Sequence, residues 1–170
     1  MASQKVVCWN SAGIRASTSS TSEKLAFFNK EFPNANFAIA AFIETHHKNV
    51  DEIPEEFKEF ETTHNIVHTP AQNETHSGII VLISKEHEII TQTEVIPGRL
   101  LNVKIRKNLR DRNISVFYGP QWAKMKKENI IETLNYFHEV HKISDRNIIL
   151  GDFNFADNDL DKGRKMDNRD

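Results

Sequence analysis

The sequence predicts an α/β domain layered on mixed sheets, and three observations carry that reading. Apolar runs of strand length outnumber amphipathic helical stretches, the helical stretches lie between strands, and hairpin punctuation dominates the middle of the chain. Lys5 to Trp9 is nearly continuously apolar and reads as the first strand. A serine- and threonine-rich loop, Ser11 to Ser22, leads to Ser20 and Glu23 at capping-box spacing. Leu25, Phe28 and Phe32 then recur at helical intervals until Pro33. Phe37 to Ile43 is a second apolar strand, whereas Asn49 to Glu61 is acidic, carries Pro54, and reads as a loop with a short helical turn. His64 to His68, Ile79 to Ile83, Glu88 to Ile96 and Arg99 to Ile105 follow as strands, the last two separated by the Pro97-Gly98 turn. Lys107 to Arg112 reads as a charged hairpin loop and Ile114 to Tyr118 as the returning strand. A helix is expected over Lys124 to Lys142, with Ile130, Leu134, Phe137 and His141 on one stripe, and a last strand over Asn147 to Phe153. Residues 157–170 are charged and read as a loop or ragged end.

A chain of 170 residues suits a single domain with a sizeable core, and eleven phenylalanines supply dense packing material. The net charge of −2 does not announce nucleic-acid binding, but the distribution is uneven. Arg99 to Lys127 holds nine basic residues against Asp111 alone, while Glu44 to Glu61 holds seven acidic residues against Lys48 and Lys58. Ordinary solvated faces account for both runs as well. Cys8 is the only cysteine, which excludes an intrachain disulfide and fits a reducing compartment. The first residues, MASQKVV, lack the pattern of a secretory leader, and no apolar run approaches the ~20 residues of a membrane span. The expectation is a protein that is neither secreted nor membrane-bound.

Function is sought at strand ends. Asn10 follows VVCW, Glu44 follows FAIAAFI, Tyr118 ends ISVFY, and Asp152 and Asn154 close NIILGDFN. Asp152 and Asn154, two apart, share one side of an extended chain. Strand ends in layered α/β proteins commonly gather function, and oxygen donors of this kind suit a hard cation such as Mg²⁺. Each residue also has a plainer reading: Asn10 as a turn residue, Glu44 as the first exposed position after a buried strand, Tyr118 as a core aromatic, and Asp152 with Asn154 as local turn formers. Sheet order decides whether these ends meet. The eight histidines form scattered pairs, without the cysteines or HExxH spacing that a zinc site favours.

Taken in order, WNSAGIR (Trp9 to Arg15), FIETHH (Phe42 to His47), HSGIIVLIS (His76 to Ser84), PGRLLNVKI (Pro97 to Ile105), ISVFYGP (Ile114 to Pro120) and LGDFNFADNDLD (Leu150 to Asp161) resemble the endonuclease/exonuclease/phosphatase family. Within that family the chain most resembles the apurinic-type endonuclease domains of non-LTR (LINE-like) retrotransposons. The resemblance implies a four-layered α/β/β/α sandwich of the DNase I-like type, here a single domain over 1–170 lacking its C-terminal part. It implies cleavage of phosphodiester bonds with Mg²⁺ or Mn²⁺. Glu44 and Asn10 would hold the metal, Asp152 would activate water, Asn154 would position it, and Tyr118 would contact the scissile phosphate. His76, Arg99 and Arg15 fall where relatives contact DNA. The implied partners are DNA and the reverse-transcriptase region of the same polyprotein, and the implied place of action is the nucleus. An apurinic/apyrimidinic repair endonuclease is the competing reading, and an inactive fragment that only binds nucleic acid or self-associates is another. The second aspartate motif and the Ser-Asp-His segment of the family are absent from the 170 residues.

Overall fold

Residues 39–43, IAAFI, are buried at every position because each face of this strand meets a different apolar layer. Ile39, Ala41 and Ile43 point into one cluster with Val81 and Ile83, whereas Ala40 and Phe42 point into another with Ile80 and Leu82. The computed structural model describes residues 5–13, 23, 24, 26, 28, 30, 31, 37–48, 53–71, 77–119, 131, 134, 135, 138 and 147–154. Its strands are β1 (Val6–Asn10), β2 (Ile39–Ile43), β3 (His64–Thr69), β4 (Ile79–Ser84), β5 (Glu88–Ile96), β6 (Leu100–Lys107), β7 (Arg110–Tyr118) and β8 (Asn147–Asp152). They form two four-stranded sheets, ordered β1-β2-β4-β3 and β5-β6-β7-β8. The pairs β1/β2 and β7/β8 are parallel, and the other neighbours are antiparallel. Mixed sheets are thus as the sequence reading has them.

One aliphatic layer joins the sheets. Ile39, Ile43, Val81 and Ile83 of the first sheet pack with Leu101, Val103, Ile105, Ile114 and Val116 of the second. Burying each such side chain contributes about 1.5–3 kcal/mol, so this layer is a principal source of stability. The outer face of the first sheet carries an aromatic cluster instead. Phe28, from a helical stretch that includes Glu23, Lys24 and Lys30, lies 4.8 Å from Phe42 and 5.6 Å from Trp9, ring centre to ring centre. Phe57 and Phe60 reach the same cluster from a 3₁₀ segment, Glu55–Thr62, whose three-residue repeat puts both rings on one side. That segment is the short helical turn expected after Pro54.

Three expectations are corrected or left aside. The charged loop expected over Lys107 to Arg112 shrinks to Asn108 and Leu109, both at positive φ (50° and 60°), as a two-residue hairpin turn requires. Strands continue to its edges because Arg106 pairs with Asp111 across the hairpin. Leu134, expected on one helical stripe with Ile130, Phe137 and His141, is exposed, while those three residues lie outside the described residues, as do 157–170.

Gly151 in β8 has φ 151°, and a Cβ there would overlap the Phe117 carbonyl oxygen of the paired strand. Gly151→Ala is therefore expected to lower stability by about 2 kcal/mol or more in urea unfolding. Leu109 is 94% exposed in a left-handed conformation that costs a branched side chain about 1 kcal/mol. Leu109→Gly is expected to raise stability by about 0.5–1 kcal/mol in the same assay.

Candidate active site

The C-terminal ends of β1, β2, β7 and β8 meet at one edge of the sandwich, because β1 and β8 are edge strands of sheets packed face to face. Asn10, Glu44, Tyr118, Asp152 and Asn154 are brought together there. The Asn10 amide donates from Nδ2 to Asp152 Oδ2 at 3.2 Å. Its Oδ1 accepts the Ala12 N–H at 3.0 Å, which fixes which way the amide faces. Asp152 Oδ1 accepts the Asn154 N–H at 2.8 Å, and the Asn154 side chain donates to the Gly119 carbonyl. The Glu44 carboxylate and the Asn154 side chain both act on the Tyr118 hydroxyl. Burial first, and then the Glu44 charge, push the Tyr118 hydroxyl up, with the Asn154 hydrogen bond acting in the opposite direction. The plainer readings of Asn10 and Asp152 are also realised, since each makes a local turn bond with a backbone N–H two residues on.

Backbone strain collects at the same place. Ala12, Glu44, His46 and Asn154 all have positive φ, at 46°, 55°, 59° and 48°. Each such residue costs about 1 kcal/mol or more and persists only where its surroundings fix it. Here the fixing contacts are visible. Gly13 N–H donates to the Glu44 carbonyl at 2.7 Å, Thr45 N–H to Gly78 at 3.1 Å, and His46 N–H to Ser77 at 2.8 Å.

Two further side-chain contacts reach this region, one of them from Lys24, which the sequence does not single out. His46 Nε2 stands 3.5 Å from Glu44 Oε1, with both side chains largely buried. Lys24 Nζ donates to the carbonyls of Ser11, Ala12 and Gly13, immediately after Asn10. The motif FIETHH contained the first signal, while nothing distinguishes Lys24 from the other lysines by type or spacing.

Arg99 lies against Tyr118 at the site. Its guanidinium lies 5.2 Å from the centre of the Tyr118 ring and donates to the Tyr118 carbonyl at 3.3 Å, so it braces the tyrosine. Other members of the basic run point elsewhere. Lys104 and Arg106 hold Asp111, at 3.0 and 2.7 Å, and Lys107 pairs with Glu86. The hydrogen bond from Arg106, followed by that from Lys104, holds the Asp111 carboxyl down to about 2. At about 3.4 Å per residue, the Lys107 end of the hairpin is about 25 Å from the site. Arg15, His76, Lys124, Lys126 and Lys127 lie outside the described residues.

Three of the histidines have structural partners. His64 is bonded to the Phe37 carbonyl and the Thr63 hydroxyl, at 3.2 and 2.8 Å. His47 lies between the Thr45 hydroxyl and His68, at 2.6 and 3.1 Å. Among the described residues no group of three His, Cys, Asp or Glu side chains is placed to hold a metal ion.

A face-to-face pair of mixed sheets with a polar site at converging strand ends defines an α/β sandwich of the DNase I-like type. Solved structures bear this fold out. The chain matches an apurinic/apyrimidinic (AP) endonuclease from Archaeoglobus fulgidus with a TM-score of 0.63 and 19% identity, over 93% of this chain and 60% of that one. It matches the endonuclease domain of TRAS1, a telomere-specific non-LTR retrotransposon, with a TM-score of 0.59 and 15% identity, over 91% and 60%. It also matches D. rerio TDP2 complexed with a single-strand DNA product, with a TM-score of 0.63 and 10% identity, over 89% and 61%. In sequence, 84 residues are 32% identical to a transposon TX1 uncharacterized 149 kDa protein of Xenopus laevis, covering 48% of this chain and 6% of the relative. The chain therefore spans a small part of that relative and about three fifths of the solved chains. No protein-family model matches the sequence.

Burial, and next the neighbouring His68, bring the His47 imidazole from 6.5 down to about 4. The folded value lies below the unfolded one, so the unfolded chain takes up the proton first as pH falls. Stability is complete above about pH 6.5 and declines as pH drops toward about 4, by about 3 kcal/mol from His47 alone. Urea unfolding across this window is expected to show that loss, and His47→Gln is expected to flatten it.

Proposed function

We propose that this chain is a metal-dependent phosphodiesterase domain that nicks DNA, supplying the 3′ hydroxyl for target-primed reverse transcription by a LINE-like retroelement. The observation that carries the reading is the hydrogen-bonded set joining Asn10 to Asp152 and Asp152 to Asn154, with Glu44 beside it acting on Tyr118. The match to a transposon protein favours the retroelement over a repair enzyme. DNA is then the substrate, the nucleus is the place of action, and a reverse-transcriptase region of the same polyprotein is the partner.

The donor set suits a hard divalent cation. Glu44 brings a carboxylate, and Asn10 Oδ1 keeps one lone pair after accepting the Ala12 N–H. Mg²⁺ takes few protein oxygens and retains waters, and Mn²⁺ accepts the same donors. Glu44 and Asn10 would hold the ion, and the chemistry it would supply is neutralisation of charge on the phosphoryl and leaving oxygens. The chain's own groups do the rest. Asp152, oriented by Asn10 and by the Asn154 N–H, accepts a proton from the attacking water. Asn154 positions that water beside the phosphate. Tyr118, braced by Arg99, donates its hydroxyl to a phosphate oxygen, a role served by keeping its proton firmly bound.

Supercoiled plasmid incubated with the protein and Mg²⁺ is expected to accumulate the nicked form, and chelation is expected to abolish this. Glu44→Ala and Asp152→Ala are each expected to slow nicking by about 100-fold or more. Nicking that survives both substitutions would contradict the assignment. Strong preference for an abasic site over intact duplex would identify the repair enzyme instead, and DNA binding without nicking would identify an inactive binding fragment.

A further inference from the structure

Ser11, Ala12 and Gly13 form a strip with two working edges. The N–H groups all point toward the site: Ser11 N–H donates to the Ile43 carbonyl at 3.0 Å, Ala12 N–H to Asn10 Oδ1 at 3.0 Å, and Gly13 N–H to the Glu44 carbonyl at 2.7 Å. The three carbonyls converge on the opposite side, on Lys24 Nζ, at 2.7, 3.1 and 3.1 Å. Successive left-handed residues, Ala12 at φ 46° and Gly13 at φ 89°, turn the carbonyls that way. Three carbonyl dipoles aimed at one point repel one another, and an ammonium with three N–H donors relieves that repulsion.

The strip sets the orientation of one side chain. With the Ala12 N–H holding Oδ1, Asn10 presents Nδ2 to Asp152; a flipped amide would turn its oxygen against the Asp152 carboxylate. We propose that Lys24 is a positioning residue, whose ammonium clamps the carbonyls of Ser11, Ala12 and Gly13 and thereby locks the Asn10 amide against Asp152. This rests on the reading of Asn10 and Asp152 as parts of a phosphodiesterase site. Lys24 touches no substrate and acts through the strip.

The test compares wild type with Lys24→Met, which keeps the side chain's length and removes its charge, and with Lys58→Met on the exposed 3₁₀ segment as the control. In plasmid nicking with Mg²⁺, Lys24→Met is expected to lower kcat by about 10–100-fold with KM for DNA unchanged. Lys24→Ala is expected to regain part of the loss when ethylammonium is supplied. Amide hydrogen exchange at Ala12 and Gly13 is expected to quicken in Lys24→Met while exchange at Ile80 to Leu82 is unchanged. Should Lys24→Met not fold, Lys24→Gln gives the same comparison, since its neutral amide is shorter and carries two N–H donors in place of three. Wild-type kcat in Lys24→Met, or a change confined to KM, overturns the proposal. If the wild-type chain does not nick, the nuclease reading fails, and exchange at Ala12 and Gly13 alone decides the clamp: faster in Lys24→Met supports it, unchanged overturns it.

Discussion

The aliphatic layer between the two sheets is the constraint on which everything else rests. Ile39, Ile43, Val81 and Ile83 meet Leu101, Val103, Ile114 and Val116 across it, and this contact fixes how far one sheet slides along the other. Strands are rigid, so a fixed sheet offset becomes a fixed offset of their ends. Asn10, at the end of β1, is 142 residues from Asp152, at the end of β8, yet their side chains share a hydrogen bond. Without the layer those groups have no reason to meet.

What the strands bring together, strained turns then aim. Among the described residues, four of the six non-glycine positions at positive φ lie in the segments that follow β1, β2 and β8, and each is held by backbone hydrogen bonds or by a side chain. The strain is affordable because the double-sided burial of β2 and β4 is worth far more than a few kcal/mol. Polar groups with little freedom to rearrange are what a catalytic centre needs, since orientation settled during folding does not have to be settled again on binding.

Most of the strands were legible in the sequence because alternation and apolar runs are local signals. The 107–112 hairpin was legible as a turn but not in its extent, for a specific reason: Lys107, Arg110, Asp111 and Arg112 look like solvated loop residues one at a time, but Arg106 and Lys104 meet Asp111 across the ladder. Leu134, an apolar residue at helical spacing, faces solvent. The five strand-end residues could be named from the sequence, but their meeting depends on parallel pairings and a sheet offset that leave no local trace. Lys24 and the His47–His68 pair were invisible for another reason. A lysine or a histidine carries no mark of the carbonyls or rings it will meet, and only the folded backbone supplies them.

Similarity to DNA-processing structures establishes the sandwich, and the hydrogen-bonded set at its edge gives that sandwich a chemical reading. The central claim is that Glu44 and Asn10 hold a divalent cation beside Asp152. Paramagnetic broadening of backbone amide NMR signals by sub-stoichiometric Mn²⁺ tests it most directly, because it needs no substrate and no turnover. Broadening centred on Asn10, Glu44, Tyr118 and Asp152, and lost in Glu44→Ala, is the predicted result. Broadening centred on His47 and His68, or spread evenly over the acidic surface, would contradict it.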